Sequence, residues 1–110
     1  MRRRKILFVC SRNRWRSLTA EKTFDGINGI EARSAGTEPN ARIKLRPGHL
    51  SWVDIIFVME KKHLRRLQDR FPDEIADKEV VCLHITDDYN FMQPELVDLL
   101  KASVEPYLNA

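Results

Sequence analysis

Lys5 to Cys10 is a short, unbroken apolar run, and its β-branched and aromatic members predict a strand covered on both faces. From Ser17 to Ile27 the period changes: Leu18, Ala20, Thr23, Phe24 and Ile27 recur at helical spacing, and Asn28-Gly29 predicts the stop. Ile30 to Ser34 reads as a short second strand, ended by Ala35-Gly36-Thr37. Glu38 to Leu50, which contains Pro39, Pro47 and Gly48, predicts a loop with one helical turn at its end. Trp52 to Met59 is apolar and β-branched around Asp54 and predicts a third strand. Glu60 to Phe71 carries Leu64, Leu67 and Phe71 among basic residues, an amphipathic helix stopped by Pro72. A polar connection from Asp73 to Lys78 leads to a fourth strand, Glu79 to Ile85, then a loop, Thr86 to Gln93. Pro94 opens a last helix with Leu96, Val97, Leu99, Leu100 and Val104 on its apolar face.

Strands separated by helices predict an α/β fold: a single domain over residues 1–110, with a four-stranded parallel sheet and helices on both faces. Ligands of such sheets bind at the carboxyl ends of the strands, near a topological switch point. Cys10, Ser34 and Asp87 fall at or just beyond those ends on this reading.

Composition narrows the class. The chain is 43% hydrophobic and 32% charged with a net charge of +3, a highly charged globule in which no apolar stretch reaches the length of a membrane span. The N-terminal MRRRKILFVC lacks a long apolar signal-peptide core, so a cytoplasmic protein is expected, with no membrane partner. Basic residues cluster at Arg2 to Lys5, at Arg12, Arg14 and Arg16, and at Lys61, Lys62, Arg65, Arg66 and Arg70, which points to an anionic ligand. Cys10 and Cys82 are expected as free thiols, Cys82 packed in the core. His49, His63 and His84 have no ligand-like spacing, so neither metal nor cofactor is expected; His63 is expected to face solvent and His84 to close a strand.

The chemistry concentrates after Cys10. A cysteine attacks as its thiolate, which a helix N-terminus, a guanidinium or a hydroxyl donor stabilises, and the run to Ser17 encodes all three. The backbone N–H groups of Ser11 to Trp15 can curl into an anion nest with the next helix behind them. Arg16 then presents a bidentate fork to a tetrahedral anion, and Asn13 tolerates the left-handed conformation a tight loop needs. Attack on phosphorus would form a cysteinyl-phosphate, with Asp87 or Asp88 as the general acid that protonates the leaving group.

The loop Cys10-Ser11-Arg12-Asn13-Arg14-Trp15-Arg16-Ser17 resembles the C-x-x-N-x-x-R-S signature of the low-molecular-weight protein tyrosine phosphatases. Ser34-Ala35-Gly36-Thr37 resembles that family's Ser-Ala-Gly-Thr, and Val53 to Leu67 its hydrophobic strand, methionine-acidic turn and leucine-bearing helix. The resemblance implies that Cys10 is the nucleophile, Arg16 the phosphate-binding arginine, Asn13 the loop-shaping residue and Ser17 the hydroxyl supporting the sulfur. Arg12 stands where the family commonly has glycine, Thr86-Asp87-Asp88-Tyr89 lacks the proline of the family's Asp-Pro-Tyr, and Glu38 to Leu50 is shorter than its counterpart. Arg12, Arg14 and Trp15 are therefore the loop positions expected to decide which anion enters.

A metal-independent phosphomonoester hydrolase follows as the leading reading, acting on a phosphotyrosine protein or a small or polyanionic phosphomonoester. Thiol-dependent arsenate reduction is an alternative that would rely on Cys82 as a further thiol. A non-catalytic phosphate- or RNA-binding module is another, and nucleic acid is the less favoured partner because few aromatics look exposed for base stacking.

Overall fold

The computed structural model describes residues 4–108; Arg2 and Arg3 of the N-terminal basic cluster lie outside them. The elements run β1 (Arg4–Cys10), α1 (Arg16–Phe24), β2 (Ile30–Gly36), α2 (Pro47–Trp52), β3 (Ile55–Val58), α3 (Lys61–Arg70), α4 (Pro72–Ile75), β4 (Glu79–Cys82) and α5 (Pro94–Leu108). The sheet is parallel throughout, in the order β2-β1-β3-β4. The chain thus leaves β1 toward one edge and returns on the other side, so β1 and β3 flank the switch point expected of such a sheet.

The unbroken apolar run of β1 is explained by its two covered faces. Ile6, Phe8 and Cys10 join a core with Phe24 of α1, Phe57 of β3 and Leu96, Leu100 and Val104 of α5. Phe8 stacks between Phe24 and Phe57, with ring centroids 5.7 and 5.4 Å away. Leu7 and Val9 point the other way, into a core with Leu50 of α2 and Leu67 of α3.

The differences from the sequence reading are local. Helix α1 stops at Phe24, because Gly26, Asn28 and Gly29 all take positive φ, and Ile27 is exposed in that turn. β2 runs past Ser34 to Gly36; Ser34 is buried within the strand, where its hydroxyl donates to Glu21 at 2.6 Å, so it does not reach the sheet's carboxyl edge. Trp52 ends α2 instead of opening β3, and its ring lies 4.3 Å from the Arg33 guanidinium. The polar connection contains the one-turn helix α4, opened by Pro72 and too short to show a period. The β4 ladder ends at Cys82, although the amides of Leu83 and Ile85 still donate to Val58 and Met59. Between them His84, exposed, adopts φ 55° and turns the chain toward Asp87.

Candidate active site

The loop from Ser11 to Trp15 is held by its carbonyl groups. The oxygens of Cys10, Ser11 and Arg12 accept from the amides of Thr37, Glu38 and Arg42 at 2.9, 3.0 and 2.9 Å, and that of Asn13 from Arg42 Nε at 3.2 Å. With the carbonyls directed outward to these partners, the amides of Ser11, Arg12, Arg14 and Trp15 donate to no carbonyl among the described residues, the arrangement of an anion nest. The Ser-Ala-Gly-Thr stretch has a physical reason here. A Cβ on Gly36 would lie 2.5 Å from the Ser11 carbonyl oxygen, so only glycine lets β2 support the loop this closely. Thr37 is in turn held by Arg66 and Arg70 of α3, each at 2.8 Å.

Asn13 is buried at φ 58°. Its amide nitrogen donates to Cys10 Sγ at 3.2 Å, and its Nδ2 donates to Ser17 Oγ at 2.8 Å. Ser17 Oγ lies 2.9 Å from Cys10 Sγ, and because it already accepts from Asn13 its own proton is available to the sulfur. Asn13 Oδ1 makes no hydrogen bond among the described residues, and nothing in the structure accounts for that.

Arg16 is only 2% exposed. Its Nη1 donates to Glu60 and, at 2.9 Å, to the carbonyl of Ile85. Both Nη1 protons are thereby used, which leaves Nε and Nη2 for a ligand. Burial pushes the Glu60 carboxyl up, but the hydrogen bond and charge of Arg16 outweigh it and hold Glu60 below the ordinary carboxylate range.

His63 corrects the sequence reading: it is fully buried, not solvent-facing. Burial, reinforced by the charge of Arg16, pushes its pKa down to about 3, so the ring is neutral near pH 7. Its Nδ1 accepts from the Glu60 amide at 3.0 Å, so Nε2 carries the proton and donates to Ser11 Oγ at 2.9 Å. The Ser11 hydroxyl proton is then left to point elsewhere.

These groups surround a cavity of about 250 Å³. Cys10, Ser11 and Arg16 line its floor, and Arg12, Arg14, Trp15 and Asp87 its mouth. Asn13 and Ser17 support the sulfur from beneath. Asp87 Oδ1 lies 3.6 Å from Arg16 Nε, whereas Asp88 accepts from the Thr86 hydroxyl at 2.6 Å and does not line the cavity. Two further residues line it: Lys62, which the sequence marks only as one of a basic cluster, and Glu38, which carries no sequence signal; Glu60 has one, as the acidic member of the methionine-acidic turn. Cys82, half-buried at the end of β4, packs against the core on the opposite face from Cys10, with Sγ 3.6 Å from His84 Nδ1. No group of three or more potential metal ligands gathers among the described residues, and no helix among them is long and apolar enough to cross a membrane.

No protein-family model matches the sequence, and no curated protein is similar to it. Solved structures are similar across almost the whole chain. The low molecular weight protein tyrosine phosphatase from T. tengcongensis is 21% identical, with a TM-score of 0.79 over 96% of this chain and 98% of that one. The YwlE arginine phosphatase from Geobacillus stearothermophilus is 20% identical, with a TM-score of 0.76 over 96% and 94%. The tyrosine phosphatase Wzb from Escherichia coli K30, solved with phosphate, is 18% identical, with a TM-score of 0.77 over 96% of each chain. At such identities the likeness is one of architecture: this chain has the fold of the low molecular weight protein tyrosine phosphatases.

Proposed function

We propose that this protein is a metal-independent phosphomonoester hydrolase acting through a phosphocysteine at Cys10. The observation that carries the reading is the convergence on one small cavity of a sulfur held by Ser17 and Asn13, a nest of free amides, and the Nε and Nη2 edge of Arg16, which makes no hydrogen bond among the described residues. The similar structures are those of phosphatases, which supports the same chemistry.

Cys10 Sγ attacks phosphorus in line with the leaving oxygen, forming an S–P bond as the P–O bond breaks. The non-bridging oxygens meet the amides, the Arg16 edge and the Ser11 hydroxyl, whose proton His63 leaves free to turn inward. Asp87, in its acid form, gives its proton to the departing oxygen; its place on the cavity wall, where Asp88 is absent, favours it for this role. Water then attacks phosphorus, Asp87 takes the proton back, and Ser17 stabilises the sulfur as it leaves. Glu60 and the Ile85 carbonyl keep the Arg16 fork in place throughout.

The test is hydrolysis of p-nitrophenyl phosphate in chelator, with mass spectrometry of quenched enzyme. Wild type should turn over and show phosphate on Cys10, Cys10→Ser should be inactive, and Arg16→Ala should lose about 10³-fold or more in kcat/KM. Retention of activity in Cys10→Ser would sink the proposal.

A further inference from the structure

The floor and the mouth of the cavity differ in how their charges are answered. At the floor the charge of Arg16 is answered within the protein by Glu60, and Asp87 Oδ1 lies 3.6 Å from its Nε. At the mouth Arg12 is paired with Glu38 at 3.4 Å. Arg14 and Lys62 also line the cavity, both exposed, and among the described residues neither has an ion pair or a hydrogen bond. They come from separate elements, the loop after β1 and the first turn of α3, yet converge on one opening. The first phosphate does not need them: the amides of the nest, the Arg16 edge and the Ser11 hydroxyl already supply its oxygens with donors. Trp15 stands at the same mouth, 42% exposed.

We infer that the mouth is a second-anion subsite, in which Arg14 and Lys62 hold a further phosphate and Trp15 stacks on a base, so that the substrate is a nucleotide bearing two phosphate groups. This deepens, and rests on, the phosphatase reading above. An exposed indole alone would suit any aryl phosphate; two cations beside it with no ion pair among the described residues favour a ligand with another fixed negative charge and a planar ring. The second phosphate is a monoester in a free nucleoside bisphosphate and a diester at a nucleic-acid end; the subsite chemistry is common to both. Arg65, exposed three residues beyond Lys62, continues the cationic face of α3 outward and gives a longer chain a place to run.

The experiment is equilibrium binding by calorimetry to the turnover-deficient Cys10→Ser protein, which reads the subsite whether or not the phosphatase reading holds, backed by kcat/KM on wild type. The ligands are a nucleoside 5′-monophosphate, the matching 3′,5′-bisphosphate, a 5′-phosphorylated dinucleotide, and phosphotyrosine peptides with neutral and acidic flanks. The bisphosphate or the dinucleotide should bind about tenfold or more tighter than the monophosphate, with an advantage that shrinks at high salt. Lys62→Glu, at an exposed helix position that does not burden the fold, should bring that ratio to about one, and Arg14→Gln should lower it several-fold. A dinucleotide advantage over the bisphosphate assigns the chain end, and the reverse assigns the free nucleotide. Equal binding of mono- and bisphosphate, or a preference for the acidic peptide that shows the same Lys62 dependence, would overturn the subsite. If Cys10→Ser does not fold, competition of the same ligands against aryl phosphate hydrolysis by wild type gives the same ratio. No hydrolysis by wild type despite a bisphosphate preference would break the phosphatase reading and leave the subsite standing.

Discussion

The loops after β1 and β4 meet over one cavity and are built in opposite ways. After β1, four consecutive carbonyls are tied to the segment that follows β2, Asn13 is locked in a left-handed conformation, and the side chains of Asn13, Arg16 and Ser17 are buried. After β4, residues 86–88 are exposed, and the loop is attached beyond them, by Tyr89 packed on the core and by the Met92 amide, which donates to the Thr19 hydroxyl at 2.9 Å. The first loop holds its donors before any ligand arrives, which is what stabilising a transition-state charge requires. On the proposed phosphatase reading the second only has to bring one carboxyl over the cavity, so it tolerates fewer constraints. Binding and proton transfer should therefore respond separately to mutation.

The largest effect expected from the second loop comes from its acid. Asp87→Asn should lower kcat for phenyl phosphate by about 10²–10³ while leaving the affinity for inorganic phosphate nearly unchanged, whereas Asp88→Asn should fall within about threefold of wild type. Equal losses in the two variants would erase the distinction drawn from the Asp88 bond to Thr86.

The sequence alone does not separate the neighbouring carboxylates Asp87 and Asp88. Their order in the chain is visible, but which one faces the cavity depends on the turn at His84, whose φ of 55° no residue pattern announced. The first loop was legible because its determinants are local: an apolar strand ending on Cys10, an asparagine where left-handed backbone is needed, and an arginine and serine opening a helix. The four strands and the longer helices were legible for the same reason, since each has its own period. His63 reads as exposed in the sequence because it stands in a basic run, Lys61-Lys62-His63-Leu64-Arg65-Arg66. Its spacing of four from Leu67, and of eight from Phe71, was the signal that placed it inward. Glu60 reaches Arg16 across 44 residues, a contact made by tertiary structure alone.

His63 sharpens the contrast from the side of the rigid loop. Its folded pKa of about 3 lies below the ordinary value of 6.5, so the unfolded chain takes up the proton first and stability falls as pH drops from about 6.5 toward 3. Arg16, Lys62 and Arg66 oppose its protonation and Glu60 favours it less strongly than burial resists it. Between pH 7 and pH 5 the cost is about 2 kcal/mol. Urea unfolding of wild type and His63→Gln at those two values should show a difference of that size in their pH dependence. Parallel pH profiles would mean that His63 does not remain neutral when folded.

The smallest effect tests whether the acid loop is positioned as its sparse attachment implies. Thr19→Val keeps the shape of a buried side chain and removes the acceptor for the Met92 amide, at a cost to stability of about 1 kcal/mol. If Thr19 acts by holding the loop that carries Asp87, kcat should fall several-fold for an alkyl phosphate, whose poor leaving group depends on the acid. It should fall much less for p-nitrophenyl phosphate, whose leaving group departs with little proton assistance. Phosphate affinity should not move, because the nest and the Arg16 edge are supported from the segment after β2, from α3 and from Ile85, and Thr19 meets the nest loop only through its backbone amide, which the substitution keeps. A uniform loss across leaving groups would instead assign Thr19 to the packing of α1, and the independence of the two loops would then fail at the helix that both share.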